Sequence, residues 1–172
     1  MKKIIFLTLL ICLFASFHVD DEFQTGSLAP DFSAVTMNGD AFRLSEHRGS
    51  IVFIDFWASW CLPCRKQNVK LLKIQEKYRL LARRSGLRVI FINISLDTNK
   101  DLWRNAVLKD ELNTKRQICD AKGWDSEIVK AYKVKKVPAS FLIGTDGKII
   151  AKDIWENKLD ETIDALYKQL SN

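Results

Sequence analysis

A seven-residue apolar run, Ile51-Val52-Phe53-Ile54-Asp55-Phe56-Trp57, stops just short of Cys61-Leu62-Pro63-Cys64, and a helical pattern begins directly after it. This order constrains the chain more than any other feature. A near-continuous apolar strand is buried on both faces, which calls for a central place in a sheet covered by helices. The first cysteine then falls at a helix N-terminus, where unpaired backbone N–H groups and the helix dipole favour a thiolate. Two thiols separated by two residues can close a disulfide within one turn, so position makes the pair chemical rather than structural.

The 172 residues suit one domain with a proper core, and a 47% hydrophobic content excludes a disordered chain. Residues 1–19 read as an export signal: Met1-Lys2-Lys3, an apolar stretch from Ile4 to Phe17, then Asp20-Asp21-Glu22. That stretch falls short of the roughly 20 apolar residues of a spanning helix, so a cleaved signal is expected ahead of an uncleaved anchor. Cys12 leaves two readings open, a lipid attachment site or a plain hydrophobe of the segment, and bulky Ile11 before it favours the second. Residues 20–172 then form the folded domain, exported to the periplasm or cell envelope, soluble or tethered by its N-terminus, and monomeric. Of the net charge of +6, two units belong to Lys2 and Lys3, and the other charges are interleaved without a dense basic stripe. No nucleic-acid partner is expected.

Past residue 19, three cysteines remain: Cys61, Cys64 and Cys119. An odd count argues against a framework of structural bridges and for one local redox pair plus a spare thiol. Cys119 is expected to be a buried structural thiol, with a resolving or regulatory role as the alternative. Half a zinc site is the rival for Cys61 and Cys64. It would need two more ligands, and Cys119 and His47 lack paired spacing, so no metal and no cofactor are expected.

Phe32–Thr36 and Ala41–Leu44 read as two short strands around the Asn38-Gly39 turn. A helix is predicted over Leu62–Arg84, with Pro63 in its first turn, Leu71, Ile74, Tyr78 and Leu81 on its buried side and Gly86 as its stop. Leu87–Ser95 is the next strand, and Asp97 or Thr98 is expected to cap a helix burying Leu102, Trp103, Ala106 and Val107. A short helix near Ser126–Tyr132, a hairpin of Ser140–Ile143 and Lys148–Lys152, and a final helix burying Leu159, Ile163, Leu166 and Leu170 complete the order. It gives an α/β fold, a mixed central sheet with helices on both faces, an N-terminal β-hairpin and a mid-chain helical insertion.

Asp55 is a charged residue inside a strand built to be buried. Burial raises a carboxyl pKa, so Asp55 is expected to exchange a proton with Cys64; a carboxyl bonded at a strand kink is the structural alternative. By alternation one of Trp57 and Trp60 packs inward while the other helps form an apolar rim beside Cys61. Trp103, Trp124 and Trp155 read as packing.

The run Asp55-Phe56-Trp57-Ala58-Ser59-Trp60-Cys61-x-Pro63-Cys64, with an isolated Pro138 before a later strand, resembles the thioredoxin fold and its active-site segment. The opening Gly26-Ser27-Leu28-Ala29-Pro30-Asp31-Phe32 and the insertion between Leu96 and Val137 resemble the exported TlpA/ResA-type branch. The resemblance implies a thiol–disulfide oxidoreductase acting on disulfides of exported proteins, and export calls for a membrane partner as electron donor, since cytosolic reductants do not cross. Cys61 is then the nucleophile, helped by Arg65 and Lys66, and Cys64 resolves the mixed disulfide. Asp55 coincides with the family's buried acid. Pro138 is implied to be cis and to face the cysteines, with Trp60, Pro63 and Val137 beside it in the substrate face. Ala139 departs from the family's usual Thr, and Lys135-Lys136 from its usual small residue. Proline at Pro63 resembles the reducing thioredoxin dipeptide, so reduction of partners is favoured. Two rivals stand beside this reading: a peroxiredoxin-like peroxidase, whose Pro-x-x-x-Thr/Ser-x-x-Cys loop surrounds no cysteine here, and a non-catalytic docking module.

Overall fold

The computed structural model describes residues 24–170, so the export segment expected at 1–19 and Cys12 lie outside the described residues. No helix among the described residues is long and apolar enough to cross a membrane. In chain order the elements are β1 (Ser33–Val35), β2 (Ala41–Arg43), β3 (Ile51–Trp57), α1 (Leu62–Ser85), β4 (Val89–Ser95), α2 (Lys100–Lys109), β5 (Gln117–Ile118), α3 (Glu127–Ala131), β6 (Ala139–Ile143), β7 (Ile149–Lys152) and α4 (Glu156–Leu170). β1 and β2 form the small antiparallel hairpin. The main sheet runs β5-β4-β3-β6-β7, with β3, β4 and β5 parallel and β6 and β7 antiparallel to their neighbours. This is the thioredoxin fold with its hairpin and insertion.

All seven residues of β3 are buried, and as far as Phe56 alternation splits them between two cores, with Trp57 at the strand end joining the first. Val52, Ile54 and Phe56 join Phe42 of the hairpin, Trp103 and Val107 of α2 and Val129 of α3. Ile51 and Phe53 join Leu71 and Tyr78 of α1 and Leu159 and Ile163 of α4. Asp55 belongs by the same alternation to the α1 and α4 side.

α1 starts at its N-cap Cys61, carries Pro63 in its first turn and ends at Gly86, whose left-handed φ of 76° lets its N–H reach the Ala82 carbonyl. It is fastened to α4 by the Tyr78 hydroxyl, 2.7 Å from Asp160 and 2.8 Å from Asp164, and by Lys77 between the same two carboxylates.

Several expectations need correction. The cap of α2 is Asn99, whose Oδ1 accepts the N–H groups of Asp101 and Leu102; Asp97 turns inward instead. Leu102 and Trp124 are exposed rather than packed. In α4 the buried stripe is Leu159, Ile163 and Tyr167, three residues spaced four apart, and Leu170 lies outside it. The insertion is not purely helical: β5, two residues long, adds a strand beside β4 and bridges Thr36 near the hairpin.

Candidate active site

Beyond Trp57 the chain turns through Ala58, Ser59 and Trp60 and enters α1. Cys61 and Cys64 are joined in a disulfide, their Cα atoms 5.3 Å apart. The Cys61 sulfur occupies the N-cap position and accepts the Cys64 backbone N–H at 3.2 Å. No acidic residue stands in the first turn of α1, so the positive end of the helix dipole acts on this sulfur unopposed. Cys61 keeps 6% of its surface exposed against 1% for Cys64, which makes it the more reachable of two largely covered sulfurs. Arg65 does not serve as expected: its guanidinium forks onto Asp110 at 2.7 and 2.5 Å, and that hydrogen bonding holds it above its ordinary pKa. Asp110 offsets the charge assigned to the cysteine.

Asp55 is 1% exposed and accepts one side-chain hydrogen bond, from Asn93 Nδ2 at 2.9 Å. Burial pushes its carboxyl up to about 7, against the smaller opposing pull of the Asn93 bond. The same Asn93 amide reaches Asn68 Oδ1 at 3.4 Å, and Asn68 follows Cys64 by one turn on the buried side of α1. A buried polar chain, Asp55–Asn93–Asn68, thus leads from β3 to the helix that carries both cysteines. Asn93 lies opposite Asp55 in register, and Asn68 sits four residues past Cys64. Both are legible only once strand pairing is known.

A second buried acid was hidden from sequence reasoning. Asp97, just past β4, accepts the Ser59 N–H at 2.8 Å, the Ser59 hydroxyl at 2.6 Å and the Ser95 hydroxyl at 2.6 Å. It fixes the loop that delivers Trp60 and Cys61. Cys119, buried and free, donates its S–H to the Asp97 carbonyl at 3.5 Å, and burial pushes its thiol up.

The Val137–Pro138 bond is cis. Ala139 pairs in register with Phe56, which sets Pro138 beside the end of β3 from which the cysteine loop departs. Val137 packs against the core that contains Cys61 and Cys64. Trp57 is fully buried whereas Trp60 is 60% exposed, and Leu62 and Pro63 beside it are exposed too, so the rim next to Cys61 is apolar. Lys135 and Lys136 are exposed ahead of Val137. Among the described residues, no group of three His, Cys, Asp or Glu side chains is placed to hold a metal ion.

A disulfide that caps a helix at the carboxyl end of a central parallel strand, in a thioredoxin fold, defines the class: a thiol–disulfide oxidoreductase. Comparison with known proteins agrees. The chain belongs to the redoxin family, whose profile matches residues 24–170. It is 31% identical over 150 residues to a thiol-disulfide oxidoreductase ResA of Bacillus cereus, an alignment covering 87% of this chain and 81% of that protein. A thiol-disulfide oxidoreductase from Bacteroides fragilis superposes with a TM-score of 0.71 at 31% identity, over 81% of this chain and 99% of that one. The thioredoxin domain of a thiol-disulfide oxidoreductase from Bacteroides vulgatus gives 0.72 at 25% identity, over 88% and 100%.

Proposed function

We propose that the chain reduces disulfides of exported proteins through Cys61 and Cys64. The observation that carries this reading is the Cys61 sulfur at the cap of α1, facing the Cys64 N–H. In the reduced protein the same donor and the helix dipole favour the Cys61 thiolate. That thiolate attacks one sulfur of a substrate disulfide, a mixed disulfide forms, and the other substrate sulfur leaves as a thiolate. Cys64 then loses its proton toward Asp55, which at a pKa of about 7 is partly ionised at neutral pH and able to accept it. Attack of Cys64 on Cys61 Sγ re-forms the internal disulfide and releases the second substrate thiol. Trp60, Pro63, Val137 and Pro138 form the face on which the substrate chain lies.

Residues 1–19 act as the export segment and 20–172 as the thioredoxin-like domain, in the periplasm or cell envelope. Its oxidised form is returned to the dithiol by a membrane electron donor. With dithiothreitol as donor, the purified domain is expected to reduce insulin disulfides; Cys61→Ser abolishes this, and Cys64→Ser accumulates a mixed disulfide on Cys61 visible on a non-reducing gel. Full activity in Cys61→Ser sinks the proposal. Cys61-dependent turnover of hydrogen peroxide, with dithiothreitol as electron donor and no added thioredoxin, would favour a peroxidase instead.

A further inference from the structure

At the opposite, amino end of the parallel strands the molecule has a second feature that the disulfide chemistry leaves unused. β5 is so short that it pairs only with Asn93 and Ile94, which leaves the first half of β4 without a neighbour on that edge. The Arg88 carbonyl accepts from Ile51 on β3, and the Leu96 N–H donates to Trp57 on the same strand, so even-numbered residues of β4 address β3. Backbone groups alternate along a strand, and those of Val89 and Phe91 therefore point at the open edge. A cavity of about 430 Å³ lies there, between α1 and the segment around Asn113–Arg116, floored by Leu72, Val89 and Phe91.

Basic side chains converge on this cavity. His47, Arg88 and Arg116 line it, and each stands just ahead of a different parallel strand, β3, β4 and β5. Neither arginine forms an ion pair among the described residues. Burial, and after it the field of Arg88, pushes the half-buried Arg116 below its ordinary pKa, with Asp40 opposing; burial, Arg116 and Arg88 do the same to His47, with Glu46 opposing. Two acids share the lining. Glu76 is engaged in a fork with Arg79 at 2.7 and 2.6 Å, and Glu111 pairs with neither free arginine. Arg88 and Arg116 thus line one cavity, each close enough to feel the other and neither in an ion pair among the described residues, an arrangement that an added anion relieves.

We propose that this cavity is an accessory binding site for a small organic carboxylate with a flat apolar body, its carboxylate held by Arg88 and Arg116 and its body laid over Leu72, Val89 and Phe91. The volume falls within the range of small-molecule sites, about 300–1,000 Å³, and an apolar floor with a few converging polar groups is their usual make-up. Guanidinium suits a carboxylate because its planar fork matches two oxygens. The short open edge, bounded by α1 on one side and the 113–116 segment on the other, suits a compact ligand better than an extended chain. Occupancy leaves Cys61 untouched, since the cysteines lie at the other end of the same strands.

The test uses 2-naphthoate as probe, its neutral twin 2-naphthalenemethanol, and inorganic phosphate, each titrated into the purified protein by calorimetry and by amide chemical shifts. Saturable one-site binding of 2-naphthoate is expected, with the shifts centred on Arg88–Phe91 and Arg116 and a rise in the His47 pKa on binding. The alcohol and phosphate should each bind at least about tenfold more weakly, as should the folded Arg88→Gln and Arg116→Gln variants, the loss that follows from removing one charge-assisted contact. Insulin reduction should be unchanged in both variants. Equal affinity for the alcohol, equal affinity for phosphate, unchanged binding in either variant, or no saturable binding at all would each overturn the proposal.

Discussion

Asp55 and Asp97 are the same residue type, equally buried, near the carboxyl ends of adjacent strands, yet their surroundings differ. Asp97 receives three hydrogen bonds, two from Ser59 and one from Ser95. Asp55 receives one, from Asn93, and burial raises it to about 7. A buried carboxylate surrounded by donors is a stable anchor; one with a single donor prefers its proton and can trade it near neutral pH. The comparison teaches that burial does not decide the role of an acid. The donors around it differ as well.

Four experiments press on that contrast, and the largest effect belongs to the anchor. Asp97→Ala strands the Ser59 and Ser95 donors, so chemical denaturation should report a loss of about 3–5 kcal/mol, with insulin reduction slowed because the loop bearing Cys61 is released. A loss below about 1 kcal/mol would show that the three bonds do not anchor the loop.

Asp55→Asn should act in the opposite direction. Its carboxyl is raised in the folded state, so between pH 3.8 and about 7 the unfolded chain releases a proton that the native state keeps. Native stability therefore falls as pH rises through that window and stays lowered above it. The variant removes this decline and should be more stable at pH 8 by about 2–4 kcal/mol, the worth of a carboxyl raised from 3.8 to about 7. Resolution of the mixed disulfide by Cys64 should slow at the same time. An unchanged pH dependence of stability would place the Asp55 proton elsewhere.

Ser59→Ala deletes one bond to Asp97 and leaves the backbone bond, for an expected cost of about 1–2 kcal/mol. The smallest change is Asn93→Ala, which takes away the lone donor to Asp55. Its carboxyl resonance should then titrate about one unit higher by NMR, a difference of about 1.4 kcal/mol between its two protonation states. If the titration moved downward instead, Asn93 would not be favouring the ionised form.

Much of this molecule was legible in the chain. The unbroken run Ile51–Trp57 announced a strand covered on both sides, and the structure buries all seven residues. Pro63 and Gly86 marked the start and stop of α1. Cys61 and Cys64 stood out by spacing, and Asp55 by being charged where its neighbours are apolar. Asp97 did not stand out, because an acid shortly before a helical pattern reads as a cap, and Asn99 nearby took that duty. β5 escaped notice because two residues carry no period. The pairing of Arg65 left no local sign, because its partner, Asp110, is 45 residues away in sequence.

The order of apolar and polar residues thus determined the strand, the helix, and the meeting of the two at a pair of sulfurs, since backbone periodicity and capping act over a few neighbouring positions. Which acid gathers three donors and which only one, which arginine is paired and which two line a cavity were decided only by tertiary structure. Dielectric surroundings and hydrogen-bond partners come from segments far apart in the chain, and no local pattern can record them.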